Sequence, residues 1–226
     1  MLPMTHQPSL SAIVLCGGRS RRMGQDKASL RIGDKTFLEH TCEIAAELAA
    51  PIIVVAAAQQ SMPDFGNNVI VVRDHVVHPG PLPALLQGFE TLLKMTPPNA
   101  TNLNGQPITG VAPTSVWVTG CDTPFVTPQI IDSLWKQQQQ QTANVATLTE
   151  SDRDNPLLAV YELNALRKLK PFLDTGHFQA TEFLRSLNVA RQPVETIPRH
   201  QNTPAATTNL NTQNDFKQAF GSDQDC

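Results

Sequence analysis

Residues 13–27 read Ile-Val-Leu-Cys-Gly-Gly-Arg-Ser-Arg-Arg-Met-Gly-Gln-Asp-Lys, an apolar segment that runs directly into a glycine pair and a cluster of cations. Glycines let backbone N–H groups approach an oxygen-rich ligand without a Cβ in the way. The cations Arg19, Arg21, Arg22 and Lys27 supply the charge that a polyphosphate requires. The stretch therefore predicts a buried strand followed by a polyphosphate-binding loop, and a solvated surface turn is the alternative.

This loop differs from the two common phosphate-binding fingerprints. It contains no G-x-x-x-x-G-K-[ST] motif, and Gly17-Gly18 followed by Gly24 does not give G-x-G-x-x-G. We therefore interpret it as a third kind of phosphate loop.

Composition excludes several classes of protein. Of the 226 residues, 40% are hydrophobic and 16% charged, which is typical of a globular protein with a sizeable core. A net charge of -3 provides no general attraction to nucleic acid or to an anionic membrane surface, so we expect neither as a partner. The four cysteines show no C-x-x-C spacing, which argues against structural zinc and disulfides and favours the cytoplasm.

The chain has the length of one large domain. We expect a single domain over 1–226, with a flexible N-terminus at 1–9, a loop insertion at 96–113 and a flexible C-terminus at 221–226. The sequence contains neither a signal-type N-terminus nor a run of about 18 apolar residues, so we expect a protein that is neither exported nor membrane-spanning.

Strand and helix patterns alternate along the chain. Apolar runs predict strands at 10–16, 52–58, 69–72, 115–119, 143–148 and 157–161, the second and third of them interior strands. Helical spacing predicts helices at 36–50, 84–95, 128–141, 165–173 and 179–187, with a solvated glutamine tail at 137–141. This alternation predicts an α/β fold, a three-layer sandwich with a mostly parallel central sheet.

Three candidate site residues follow predicted strands. Ligands of such sheets bind beyond the carboxyl ends of the strands, where Gly17, Asp74 and Asp122 fall. Asp122 is placed to bind Mg²⁺ through one carboxylate, with helix capping as the alternative. Asp74 is a candidate contact for a nucleoside, or a plain turn residue.

Two other features leave alternatives open. Asn209 and Asn211 place two amides on one side of an extended segment, as neutral oxygen ligands or as caps of a helix at 213–220. Cys16 could act as a nucleophile, although a small buried thiol is the ordinary explanation. The six histidines form no recognisable catalytic triad.

Four motifs together resemble the molybdenum cofactor guanylyltransferases nearly end to end. They are Leu-x-Gly-Gly-Arg-Ser-x-Arg-Met-Gly-x-Asp-Lys at 15–27, Pro-Gly-Pro-Leu at 79–82, Cys-Asp-Thr-Pro at 121–124 and Asn-Leu-Asn-Thr at 209–212. The resemblance implies a Rossmann-like fold and a Mg²⁺-dependent nucleotidyltransferase that transfers GMP from GTP to the terminal phosphate of molybdopterin. Molybdoenzymes or other cofactor-assembly proteins are the implied protein partners.

The resemblance also implies roles for individual residues. The implied nucleotide-binding residues are Leu15, Cys16, Gly17, Gly18, Arg19, Ser20, Lys27, Asp74, Gly80, Pro81, Leu82 and Asp122. The implied catalytic residues are Arg22 and Lys27, which balance phosphate charge, and Asp122, which binds Mg²⁺ together with Asn211. Arg153, Asn155 and Pro156 read as a turn, with the pterin side of the site as the alternative.

Two departures from the family pattern and three rival functions remain. Relatives carry an asparagine at the end of the second strand where this chain has Ala56-Ala57-Ala58, and its 96–113 loop is longer. Gly17-Gly18 favours GTP, since Ala-Gly is usual in the cytidylyl enzymes. The rivals are a transferase that uses CTP, one with a sugar-phosphate acceptor, and a non-catalytic molybdopterin carrier.

Overall fold

A computed structural model describes residues 10–16, 27–65, 69–74, 80–95, 113–198, 204–208 and 210. Most of the strands in these residues belong to one sheet. The strands are β1 (Leu10–Leu15), β2 (Arg31–Ile32), β3 (Lys35–Thr36), β4 (Ile52–Ala57), β5 (Val69–Asp74), β6 (Ser115–Gly120), β7 (Val145–Glu150), β8 (Arg153–Glu162) and β9 (Val189–Pro193). The helices are α1 (Phe37–Ala46), α2 (Leu82–Met95), α3 (Pro128–Gln140), α4 (Leu163–Leu166), α5 (Leu169–Asp174) and α6 (Ala180–Arg185).

The sheet has seven strands in the order β5-β4-β1-β6-β8-β7-β9. Pairing is parallel except that β8 runs antiparallel to both of its neighbours, β6 and β7. Strands β2 and β3 form a separate small hairpin. The predicted mostly parallel central sheet is confirmed.

Helices cover both faces of the sheet, as the three-layer prediction requires. All six residues of β1 are buried, and its side chains alternate between two cores. One core contains the apolar faces of α1 and α3, and the other contains those of α2 and α4 to α6. An apolar strand without charge is stable here because neither face meets water.

Helix α1 begins at a capping box and ends earlier than predicted. The Thr36 hydroxyl accepts from the Glu39 N–H at 3.1 Å and the Glu39 carboxylate accepts from the Thr36 N–H at 2.7 Å. The hydrogen bonds that the Thr36 N–H and the Thr36 hydroxyl donate to the Glu39 carboxylate lower the pKa of Glu39. The helix stops at Ala46 rather than Ala50, since the Ala50 N–H donates to the Leu10 carbonyl and starts the approach to β4.

The turn predicted around Arg153, Asn155 and Pro156 is wrong, because these residues belong to β8. The actual turn is Ser151-Asp152, with φ of 49° and 60°. Two consecutive positive φ values between paired strands are the signature of a tight type I′ hairpin. Pro156 is accommodated because the β7–β8 register shifts between Thr147 and Thr149, where the ladder needs no proline N–H.

Three other elements differ from the predicted ones. Strand β5 was predicted as interior but lies at the edge of the described sheet, with all six residues half-buried. Strand β9 was not predicted, since Val189–Pro193 is short and contains only two apolar residues besides its proline. The helix predicted at 165–173 is two short helices, α4 and α5, because Pro171 fits only the first turn of a new helix.

The glutamine tail of α3 is not wholly solvated. Gln138 is buried, donates to the Ala143 carbonyl at 2.7 Å and accepts from the Ser115 hydroxyl at 3.1 Å. Pro113, assigned to the 96–113 loop, is also buried, while 96–112 and the termini at 1–9 and 221–226 lie outside the described residues. Across the residues with assigned positions, no helix is long and apolar enough to cross a membrane.

Candidate active site

Two carboxylates lie at the same level of one sheet edge. Leu15 pairs with Val55 of β4 and with Gly120 of β6, and Val55 pairs with Val72 of β5. Asp74 is two residues beyond Val72, and Asp122 is two residues beyond Gly120. Three strand spacings, about 14 Å, separate β5 from β6, so the two carboxylates are too far apart to share one ion.

Gly120 makes room for the Asp122 carboxylate. A Cβ on residue 120 would lie 2.6 Å from Asp122 Oδ1, closer than any real contact. The carboxylate therefore folds back over the end of β6, and only glycine leaves that space open. Asp122 itself is half-buried.

The loop that carries Asp122 is tied to α1 and to the end of β6. His40 Nε2 lies 3.1 Å from the Pro124 carbonyl oxygen, which accepts the hydrogen bond and so requires the proton on Nε2. The Thr123 hydroxyl lies 3.3 Å from that of Thr119, and the Cys121 N–H donates to the Leu15 carbonyl at 3.3 Å. These contacts hold the loop on both sides of Asp122.

A segment from far along the chain also meets this loop. The Leu210 N–H donates to the Asp122 carbonyl at 3.0 Å, and the Leu210 side chain is fully buried in a cluster with Leu30 and Phe37. The two predicted asparagines flank Leu210 in sequence and lie outside the described residues. Their neighbour is thus placed beside the predicted magnesium ligand by an apolar anchor.

The β7–β8 hairpin borders Asp122 on the other side. Leu158 pairs with Thr119, and β8 begins five residues earlier in the chain, at Arg153, which pairs with Glu150 of β7. The Thr207 hydroxyl donates to Glu150 Oε2 at 2.8 Å, so the segment leading to Leu210 packs against this hairpin. The hairpin forms a wall beside Asp122.

The backbone of Leu15 and Cys16 is largely engaged within the sheet. The Cys16 N–H donates to the Val55 carbonyl at 3.0 Å, and its carbonyl accepts from Gln60 Nε2 at 2.9 Å. Cys16 Sγ is buried and lies 3.4 Å from the Val55 carbonyl. The Cys16 N–H and carbonyl are therefore both engaged by β4 and the turn that follows it.

The Gly80-Pro81-Leu82 segment begins α2 at the same edge as Asp74. A Cβ on Gly80 would lie 2.9 Å from the Phe178 carbonyl oxygen, so glycine permits close packing against the loop before α6. The Leu82 side chain is 1% exposed and belongs to the core. A nucleotide contact from Leu82 would therefore be made by its backbone.

Several predicted site residues lie outside the described part of the chain. They are Gly17, Gly18, Arg19, Ser20, Arg22 and Asn211. Lys27 is described only through its backbone, which begins a short 3-10 helix, Lys27–Ser29. Their assigned roles stay predictions.

Cys42, a second buried cysteine close to Cys16, is not a nucleophile. Cys42 is buried on α1, and burial first, then the nearby Cys16, raises its pKa to about 12. Cys42 is thus protonated at neutral pH and unreactive.

The Asp122 carboxylate is an oxygen ligand of the kind that Mg²⁺ and Mn²⁺ prefer. No three His, Cys, Asp or Glu side chains cluster as metal ligands within the described ranges. Mg²⁺ requires only one or two protein oxygens, because water and phosphate fill its other positions. One carboxylate at Asp122, in a space that a Cβ on residue 120 would fill, fits that requirement.

This sheet order and its site at the ends of parallel strands define an α/β nucleotidyltransferase fold. Residues 12–191 match the MobA-like NTP transferase domain family, and the chain belongs to that family. The resemblance carried by the four sequence motifs is therefore confirmed.

Individual relatives agree with this assignment. The probable molybdenum cofactor guanylyltransferase of Mycobacterium tuberculosis (strain ATCC 25618 / H37Rv) is 30% identical over 196 residues, 83% of this chain and 88% of that protein. Molybdopterin-guanine dinucleotide biosynthesis protein A from Archaeoglobus fulgidus gives a TM-score of 0.66 at 22% identity, over 92% of this chain and 96% of the other. The 2-C-methyl-D-erythritol 4-phosphate cytidylyltransferase from Thermus thermophilus gives 0.60 at 14%, over 92% and 96%. The two structural likenesses establish the fold alone.

Proposed function

We propose that this protein transfers GMP from GTP to the terminal phosphate of molybdopterin and releases pyrophosphate. The observation that carries the proposal is the meeting, at one sheet edge, of Asp122, the anchored Leu210 and the end of β1 that leads into the glycine loop. The similarity to relatives named probable molybdenum cofactor guanylyltransferases supports this choice of substrates.

The reaction needs no activated nucleophile in the protein. A phosphate monoester has a second pKa of about 6, so the acceptor phosphate is a dianion at neutral pH. One of its oxygens forms a bond to the α-phosphorus of GTP, while the bond from that phosphorus to the bridging oxygen breaks and pyrophosphate leaves with the electron pair. The protein's contribution is positioning and charge neutralisation.

Each part of the site has a task in this scheme. Arg22 and Lys27 would balance phosphate charge, and Asp74 would contact the nucleoside about 14 Å from Asp122. Asp122 and Asn211 would hold Mg²⁺, which when bound neutralises charge on the phosphate oxygens. The wall formed by the β7–β8 hairpin would border the acceptor, with Arg153 and Asn155 on β8, the strand of the hairpin next to β6.

The decisive test is to incubate the purified protein with Mg²⁺, molybdopterin and GTP, CTP or UTP in turn. We expect the guanine dinucleotide and pyrophosphate from GTP, with CTP and UTP at least tenfold poorer in kcat/KM, a difference of about 1.4 kcal/mol. Preferential use of CTP would replace guanylyl by cytidylyl transfer. Molybdopterin binding without pyrophosphate from any nucleotide would instead identify a carrier.

Shortening the anchor should weaken the metal site without touching a ligand. Because Leu210 is fully buried and bonded to Asp122, we expect Leu210→Ala to raise the Mg²⁺ concentration for half-maximal activity about tenfold, as loss of supporting contacts does elsewhere. The measurement is a Mg²⁺ titration of initial rates. In Leu210→Met, which preserves the side-chain volume, the Mg²⁺ concentration for half-maximal activity should stay within about twofold of the wild-type value. An unchanged Mg²⁺ requirement in Leu210→Ala would contradict the anchoring role.

A further inference from the structure

The side chain of Gln60 lies between the ends of β1 and β4. Gln60 Nε2 donates to the Cys16 carbonyl at 2.9 Å, and Gln60 Oε1 accepts from the Ala57 N–H at 3.0 Å. One primary amide thus binds the last described carbonyl of the β1 segment and the last N–H of β4. Gln60 and Cys16 are 44 positions apart in the sequence.

The regular sheet would pair those two backbone groups directly. In a parallel ladder one residue's N–H and C=O bond to the two residues that flank its partner on the next strand. The Cys16 N–H already donates to Val55, so the next bond would run from the Ala57 N–H to the Cys16 carbonyl. The Gln60 amide takes the place of that bond, and the β1–β4 pairing ends at Leu15 and Val55.

The main chain of Gln60 is also held in position. Arg73 of β5 donates through Nη1 to the Gln60 carbonyl and, at 3.2 Å, to the Ala57 carbonyl. Gln87 of α2 donates to the Arg73 carbonyl at 2.9 Å. The turn after β4 is therefore fixed from the neighbouring strand and the covering helix.

We propose that Gln60 is a positioning residue, an amide wedge that separates β1 from β4 at Cys16, the residue directly before the glycine pair in the sequence. Its expected effect is on the triphosphate of the nucleotide, because the sequence that follows Cys16 carries the glycines and cations. The amide is engaged by backbone groups at both ends, so it does not substitute for the nucleoside-binding asparagine of relatives. The inference rests on the proposed function only in that the loop binds a triphosphate.

The test compares two adjacent glutamines. Gln60→Met removes these two hydrogen bonds and the one that Cys16 Sγ donates to Gln60 Oε1 at 3.7 Å, at nearly constant volume, and Gln59→Met makes the same change at an exposed position one residue earlier. Calorimetry with GTP, inorganic tripolyphosphate and guanosine as separate probes measures each variant. We expect Gln60→Met to bind GTP and tripolyphosphate about tenfold more weakly and guanosine unchanged, while Gln59→Met matches the wild type.

Each outcome decides the role of Gln60. Unchanged tripolyphosphate binding in Gln60→Met, or a loss confined to guanosine, would overturn the proposal. Should Gln60→Met fold poorly, Gln60→Asn keeps the amide but is too short to bridge both groups, and the same tenfold loss is expected. A wild-type preference for CTP would refute guanylyl transfer, yet the tripolyphosphate arm would still decide the wedge; no tripolyphosphate binding by the wild type would defeat both.

Discussion

Asp122→Ala should abolish Mg²⁺-dependent pyrophosphate release, with a fall in kcat/KM of about 10³-fold or more, while GTP still binds weakly. The variant removes a carboxylate that lies over Gly120, on a residue whose main-chain carbonyl accepts from the Leu210 N–H. Loss of an electrostatic contact at the reacting phosphates is typically worth about 10²-fold to 10³-fold, and loss of the ion it holds adds to that. The readout is coupled detection of pyrophosphate across a Mg²⁺ titration.

A distant aspartate provides the control. Asp174 lies at the exposed end of α5 and pairs with Lys170 at 3.4 Å, a surface contact of little energetic value. Asp174→Ala should therefore retain wild-type turnover. If Asp122→Ala turned over at the wild-type rate, Asp122 would have no part in the mechanism.

Gly120→Ala should lose about 10²-fold in activity with little loss of stability. The added Cβ would lie 2.6 Å from Asp122 Oδ1, and that atom is the end of a flexible side chain, so the carboxylate moves rather than the backbone. Displacement of a catalytic group by about an ångström is enough for such a fall. Initial rates at saturating Mg²⁺, together with thermal unfolding, measure the two effects separately.

Gly33→Ala should show the opposite behaviour. Gly33 has a φ of 61° in the β2–β3 turn, and a Cβ there meets nothing within 4 Å. A left-handed alanine lowers the free energy of unfolding by about 1–2 kcal/mol without moving any site residue. Equal losses of activity in the two variants would mean that Gly120 acts through stability and not through Asp122.

The sequence predicted best those elements whose faces are both buried. Strands β1, β4 and β6 were located within one or two residues. A continuous apolar run is typical of a strand whose two faces are both covered by helices, as at the centre of an α/β sheet. Strand β9 and the start of β8 were not predicted because their residues are polar or include proline. Edge position and hairpin geometry depend on neighbours, which a local pattern does not contain.

The candidate site divides in the same way. Asp74 and Asp122 were predicted because each follows an apolar run and lies close to glycine or proline, which marks a strand end in the sequence itself. His40, Gln60 and Leu210 were missed as supporting residues, since each acts through a partner distant in sequence, 84 positions away for His40 and Pro124. The apolar leucine between two asparagines at 209–211 was the one local signal of an anchor.

Because β8 runs antiparallel to β6, the end of the sheet that carries Asp122 has two structurally different flanks. On one flank, parallel strands stop level with one another and lead into loops. On the other flank, β7 and β8 are joined by the two-residue hairpin turn Ser151-Asp152. A longer or shorter β7–β8 hairpin would change the second flank and leave the strand pairing of the first in register, so the two flanks are open to independent redesign.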